Sequence, residues 1–155
     1  MKNLFYLLIA VFTLSLTSCS SDDSSTNNDD ELYVRFTLNG EQKEYMDPAT
    51  ITSLRRLILG DDMESTEYER ISLWMPAVIE TGTFTITSDT PTDANLETLY
   101  SANIWMGEEV IDASTGTLVI SDLDAEYVKG TFSFSGTNDE GTTVVVTNGT
   151  FRAYR

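Results

Sequence analysis

The sequence predicts an all-β fold, a single antiparallel β-sandwich with a barrel-like sheet as the alternative. Three observations predict it. Short segments with a period of two alternate with clusters of Gly, Asn, Asp and Pro; no window holds an apolar period of 3.6 over three helical turns; and a Gly-Thr-apolar-x-apolar form recurs four times. The clearest strand comes first, with Leu32, Val34, Phe36 and Leu38 on one face and Tyr33, Arg35 and Thr37 on the other. It ends at Asn39-Gly40, a pair that a type I′ hairpin turn favours. Further strands are expected at Glu41 to Met46, Ser53 to Leu59, Tyr68 to Met75, Thr83 to Thr87 and Leu99 to Met106. The series closes with Thr117 to Ser121, Val128 to Ser135, Thr142 to Thr147 and Thr150 to Tyr154. Turn chemistry fills the gaps at Gly60-Asp61-Asp62, Ser88 to Asp93, Gly107-Glu108, Asn138 to Gly141 and Asn148-Gly149. Asp93 to Tyr100 reads as a short helix or a crossing loop. No feature seals the sheet edges, which favours the sandwich over the barrel.

The recurring form starts at Gly82, Gly116, Gly130 and Gly149, with spacings of 34, 14 and 19 residues. A true repeat array holds its period. The four copies therefore read as one solution for starting a strand, in which Gly permits the turn and the alternating apolar residues face the core.

Composition narrows the chemistry. The 155 residues hold 25 Asp and Glu against 9 Lys and Arg, for a formal net charge of -16, with one Cys and no His. Triads that use His, His-ligated zinc, an internal disulfide and a CxxC site are all excluded. The cations are scattered, and only Arg55-Arg56 are adjacent, so nucleic acid is not an expected partner. No GxSxG, phosphate-loop or GxGxxG motif is present. A carboxylate pair is the enzymatic option left, since glycosidases need two acids and no His. The expectation is no enzyme and no cofactor, with a carboxylate hydrolase as a lesser alternative.

The first residues carry an address. A short positive start, Met1-Lys2-Asn3, precedes thirteen charge-free residues from Leu4 to Leu16, a signal-peptide core too short to span a bilayer. The run ends in Leu16-Thr17-Ser18-Cys19, which resembles a bacterial lipobox. Such a motif implies cleavage before Cys19 and diacyl or triacyl modification, palmitate included. At about 0.8 kcal/mol per buried CH₂, two or more chains give a stable membrane anchor. The expected organisation is a signal peptide at 1–18, lipidated Cys19 with an acidic tether at 19–31, and a sandwich domain at 32–155. The tether holds five carboxylates and no apolar residue after the Cys, and Cys19-Ser20-Ser21-Asp22-Asp23 resembles the surface-export signal of Bacteroidota lipoproteins. The implied location is the outer membrane, facing the cell exterior.

A second resemblance lies at the other end. Gly116-Thr117-Leu118-Val119-Ile120, Val128-Lys129-Gly130-Thr131-Phe132-Ser133-Phe134 and Val146-Thr147-Asn148-Gly149-Thr150-Phe151 are similar to the C-terminal strands of a domain-of-unknown-function family of Bacteroidota surface lipoproteins. The resemblance implies a β-rich surface lipoprotein and brings no activity or site residues with it.

Candidate sites follow from face assignment. With Ile71, Leu73 and Met75 facing in, Trp74 faces out beside Arg70 and Ser72; with Tyr100, Ala102, Ile104 and Met106 facing in, Trp105 points out beside Ser101 and Asn103. Two outward indoles would make a stacking platform for a glycan or an anchor for an outer-membrane protein. Asp122, Asp124 and Glu126 offer oxygen ligands at alternate positions, a weak candidate for calcium without the Gly and distal Glu of an EF-hand loop. Asp61-Asp62-x-Glu64 reads as a solvated turn. The functional expectation is a lipid-anchored binding or accessory module of the outer membrane. The alternative is a structural envelope component with no dedicated ligand.

Overall fold

The structure is a computed structural model that describes residues 31–63 and 67–155. The signal peptide, Cys19, the tether as far as residue 30, and Glu64 lie outside the described residues.

Eleven strands are present and, among the described residues, no helix. They are β1 Tyr33–Leu38, β2 Glu41–Met46, β3 Ala49–Thr52, β4 Arg55–Asp62, β5 Glu69–Pro76, β6 Gly82–Thr87, β7 Ser101–Met106, β8 Glu109–Asp112, β9 Thr115–Leu123, β10 Tyr127–Thr137 and β11 Thr143–Tyr154. A six-stranded sheet runs β2-β1-β11-β10-β9-β6 and a five-stranded sheet runs β3-β4-β5-β7-β8. All the strand pairs are antiparallel, and two open sheets packed face to face make the sandwich rather than the barrel. Val34, Phe36, Leu118, Ile120, Phe132 and Phe151 from the first sheet meet Ile58, Ile71, Leu73, Met75 and Ile104 from the second in one core. Phe132 is its aromatic hub, with ring centroids 6.2 Å from Phe36 and 6.3 Å from Phe151.

Local chemistry explains where sequence pattern succeeds and where it fails. Asn39 and Gly40 take positive φ of 49° and 93°, as a type I′ turn requires, and fix the pairing of β1 with β2. Asn148-Gly149 is not a turn. Asn148 has φ 52° inside a single twelve-residue β11, and the register skips there against both β1 and β10. The feature is a β-bulge, and it joins two expected strands into one. Gly60-Asp61-Asp62 likewise continues β4, and Gly60 is there because a Cβ would lie 3.0 Å from the Tyr45 ring.

The recurring glycines have a different reason from the expected one. Gly82 opens β6, while Gly116, Gly130 and Gly149 sit inside β9, β10 and β11, and none of the four has positive φ. A Cβ at Gly130 would stand 2.7 Å from the Phe151 ring, and one at Gly149 2.6 Å from the Phe132 ring. Gly116 is closed off by backbone instead, by the Ser133 carbonyl and the Cα and Cβ of Phe134. These glycines admit a ring or a neighbouring backbone at close range; they do not make turns. Two short edge strands, β3 and β8, carry too little alternation to be foreseen. Asp93 to Tyr100 is a crossing loop of isolated turns, with Leu96 N–H bonded to Thr92 C=O at 3.1 Å and Leu99 N–H to Asn95 C=O at 2.8 Å.

Candidate ligand-binding site

Both tryptophans lie on the outer face of the five-stranded sheet. Leu73 and Met75 are fully buried on either side of Trp74, as are Ala102 and Ile104 before Trp105, and both indoles are half-buried. They do not adjoin. Trp74 pairs with Ser101 and Trp105 with Arg70, and the Ser72–Asn103 pair lies between them. Four residues of strand separate the indoles by about 13 Å. Each ring is covered by a guanidinium, Arg55 at 5.6 Å from the Trp74 centroid and Arg70 at 4.4 Å from that of Trp105. The expected joint platform is therefore two separate stations, and the Trp105 indole N–H is buried without an acceptor.

Trp74 opens onto a cleft. A cavity of about 410 Å³ is lined by Arg55, Trp74, Ser101, Asn103 and Asp112 from the sheet and by Thr87 to Pro91 from the start of the crossing segment. The pairing of β7 with β8 sets Asn103 opposite Asp112, and the amide donates to Asp112 Oδ1 at 3.3 Å. Asp89 Oδ2 accepts from the Thr87 hydroxyl at 3.0 Å. The crossing segment is fastened by Asn95, whose Oδ1 accepts from Thr92 N–H at 2.7 Å and whose Nδ2 donates to Thr90 C=O at 3.1 Å.

Arg55 is the unusual member. It opens β4, is 8% exposed, and donates to Leu99 C=O at 2.9 Å and Ser101 Oγ at 3.1 Å. No carboxylate among the described residues pairs with it, its Nε has no acceptor, and burial pulls its pKa down. A buried cation without a counter-ion is held at a cost that a hydrogen-bonding ligand would offset.

A second and larger cavity, about 710 Å³, draws on the other half of the crossing segment. Leu54, Pro76, Val78, Ile79 and Leu96 line it with the Phe84–Tyr100 pair, whose rings stack at 4.1 Å and 13°. Glu80, Asp93 and Glu97 are its charged lining. Burial and the Glu80 charge push the Tyr100 phenol up to about 12. Neither Arg55 nor this aromatic pair stands out in the sequence: Arg55 shows only as one of two adjacent cations, and Phe84 and Tyr100 meet where an isolated bridge joins Ile86 to Tyr100 across the two sheets.

The calcium candidate is not assembled. Asp124 Oδ1 accepts the backbone N–H groups of Glu126 at 2.8 Å and Tyr127 at 2.7 Å, an Asx turn that holds its carboxyl below the usual range. Among the described residues no three carboxylates cluster as a metal site needs.

Fold and site together define a small antiparallel β-sandwich domain with two unlike clefts at one crossing segment. The chain belongs to the family described as a domain of unknown function, DUF6252, which matches residues 59–154. The match begins inside β4 and covers Trp74, Trp105, Phe84 and Tyr100, while Leu54 and Arg55 precede it. No curated protein and no solved structure matches the chain.

Proposed function

We propose that the protein is a lipid-anchored, surface-exposed binding or accessory module of a bacterial outer membrane, and that its Trp74 cleft receives a saccharide. The observation that carries this reading is the convergence of a half-exposed indole with a guanidinium, an amide, two carboxylates and several hydroxyls on one concave surface. A sugar ring needs an apolar face to stack on and an in-plane set of donors and acceptors, and this cleft offers both. The larger cavity has carboxylates and hydroxyls in its lining but no guanidinium or amide side chain. Asp89 and Asp112 both sit among hydroxyl and amide partners, whereas an acid–base pair for glycoside cleavage needs one carboxyl in apolar surroundings. The reading is therefore binding without cleavage.

Cys19 and the acidic tether support the anchor, with the domain held clear of the headgroups. The test uses the full lipidated chain in nanodiscs against a panel of bacterial and host oligosaccharides. Binding that shifts tryptophan fluorescence, weakens by about thirtyfold in Trp74→Ala and is unchanged in Trp105→Ala is the expected result. Absence of binding to every saccharide at millimolar concentration overturns it. Cys19→Ala is expected to release the protein from membranes.

A further inference from the structure

We infer that the larger cavity is a docking site for a partner polypeptide, which enters it with an apolar side chain flanked by Lys or Arg. The site is distinct from the Trp74 cleft and does not rest on the saccharide reading. Three features of the cavity point the same way. Its mouth carries Leu54 at 76% and Val78 at 87% exposure, apolar side chains held in solvent on two neighbouring loops. Its interior offers Phe84 stacked on Tyr100, with Ile79 and Leu96, enough apolar surface for one large side chain. Its charge is of one sign: Glu80, Asp93 and Glu97 line it and no cation does. Two guanidiniums bond to backbone at or beside its lining, Arg56 to Ala77 C=O at 3.4 Å and Arg55 to Leu99 C=O at 2.9 Å; both are buried, at 6% and 8% exposure, and neither lines the cavity. Three lining carboxylates against two buried guanidiniums that do not line it leave the mouth acidic.

Charge also decides among occupants. Anionic lipid and a second copy of this chain both carry the wrong sign, since the chain itself is at -16. A basic, apolar segment has the complementary surface, and its attraction would steer association as well as hold it.

The experiment titrates the full lipidated chain in nanodiscs with two synthetic peptides of identical apolar core, one flanked by lysines and the other by glutamates. The lysine peptide is expected to bind about tenfold more tightly at low salt and to lose that margin as salt rises. Glu80→Gln with Glu97→Gln is expected to weaken it several-fold, and Val78→Ser, at an exposed position, to weaken it in the folded protein. Trp74→Ala is expected to leave peptide binding unchanged, which separates this proposal from the saccharide reading. Equal affinity for the two peptides, or binding to neither, overturns it. Self-association in sedimentation that Val78→Asp abolishes also overturns it, by assigning the face to a second copy.

Discussion

In β9, β10 and β11 glycines stand where rings and backbone leave no room for a side chain, whereas the segment from Ser88 to Leu99 is held by a few turns and the Asn95 side chain. The first region spends its sequence on close packing. The second spends it on surface, and both cavities take their walls from it. The comparison explains why one part of the chain carries a recurring sequence form and the other carries none: dense packing accepts few residues at each position, while a crossing loop is specified only by what it touches.

The largest expected effect breaks the packed region. Gly130→Val drives a branched side chain against the Phe151 ring and the β9 backbone, and destabilisation of about 3 kcal/mol or more is expected in urea denaturation. Gly40, at positive φ with open space around it, is the control: Gly40→Asn is expected to cost a few tenths of a kcal/mol, because Asn tolerates that backbone region.

The second prediction moves to the loop end. Arg55→Met removes a buried cation that has no counter-ion, so the change in stability is expected to stay within about 1 kcal/mol. Saccharide affinity is expected to fall with Arg55→Met, measured by calorimetry, because the cleft loses its guanidinium donor. A stability loss as large as that of Gly130→Val would place Arg55 in the packed region and take it out of the site.

The third sharpens the link between the cavities. Asn95→Ala deletes the bonds from Thr92 N–H and to Thr90 C=O, worth about 1 kcal/mol together in local opening. Faster hydrogen exchange confined to the Ser88 to Leu99 segment is expected, with parallel weakening at both cavities. Weakening at one cavity alone would show that the two halves of the segment move independently.

These regions also differ in how far the sequence reveals them. Most strands and the Asn39-Gly40 turn are legible because period two and φ > 0 chemistry are local properties. The bulge at Asn148 is not, because the same Asn-Gly pair serves a turn or a bulge, and only the partner strands on both sides decide which. The glycine form is visible, but its cause is not, since the rings it accommodates come from elsewhere in the chain. Trp74 is legible by alternation with Leu73 and Met75. Arg55, Asn103, Asp112 and Asp89 become a site only when β4, β7, β8 and the crossing segment meet, and Leu54 and Val78 carry no pattern at all because exposed loop tips have no period.

The smallest effect separates the regions by pH. In the turn between β9 and β10, Asp124 is held by two backbone N–H groups, so its folded pKa lies below the ordinary 3.8. A depressed carboxyl stabilises the fold above its unfolded value, and that contribution is lost as pH falls below 3.8 through the folded one. At the cavity end Tyr100 has the opposite sense. Its phenol is pushed from 10 up to about 12 by burial and by Glu80, so its contribution is complete below pH 10 and is lost as pH rises toward 12. Acid therefore probes the β9–β10 turn, and alkali probes Tyr100 in the larger cavity together with Tyr45, whose phenol burial and Glu69 also push up. Asp124→Asn is expected to flatten the acid limb of the stability curve and leave the alkaline limb alone. Glu80→Gln is expected to bring phenolate absorbance to a lower pH without touching the acid limb. If Glu80→Gln leaves the phenolate titration unmoved, Glu80 does not face the stacked pair, and the acidic mouth that argues for a basic partner loses one of its three carboxylates.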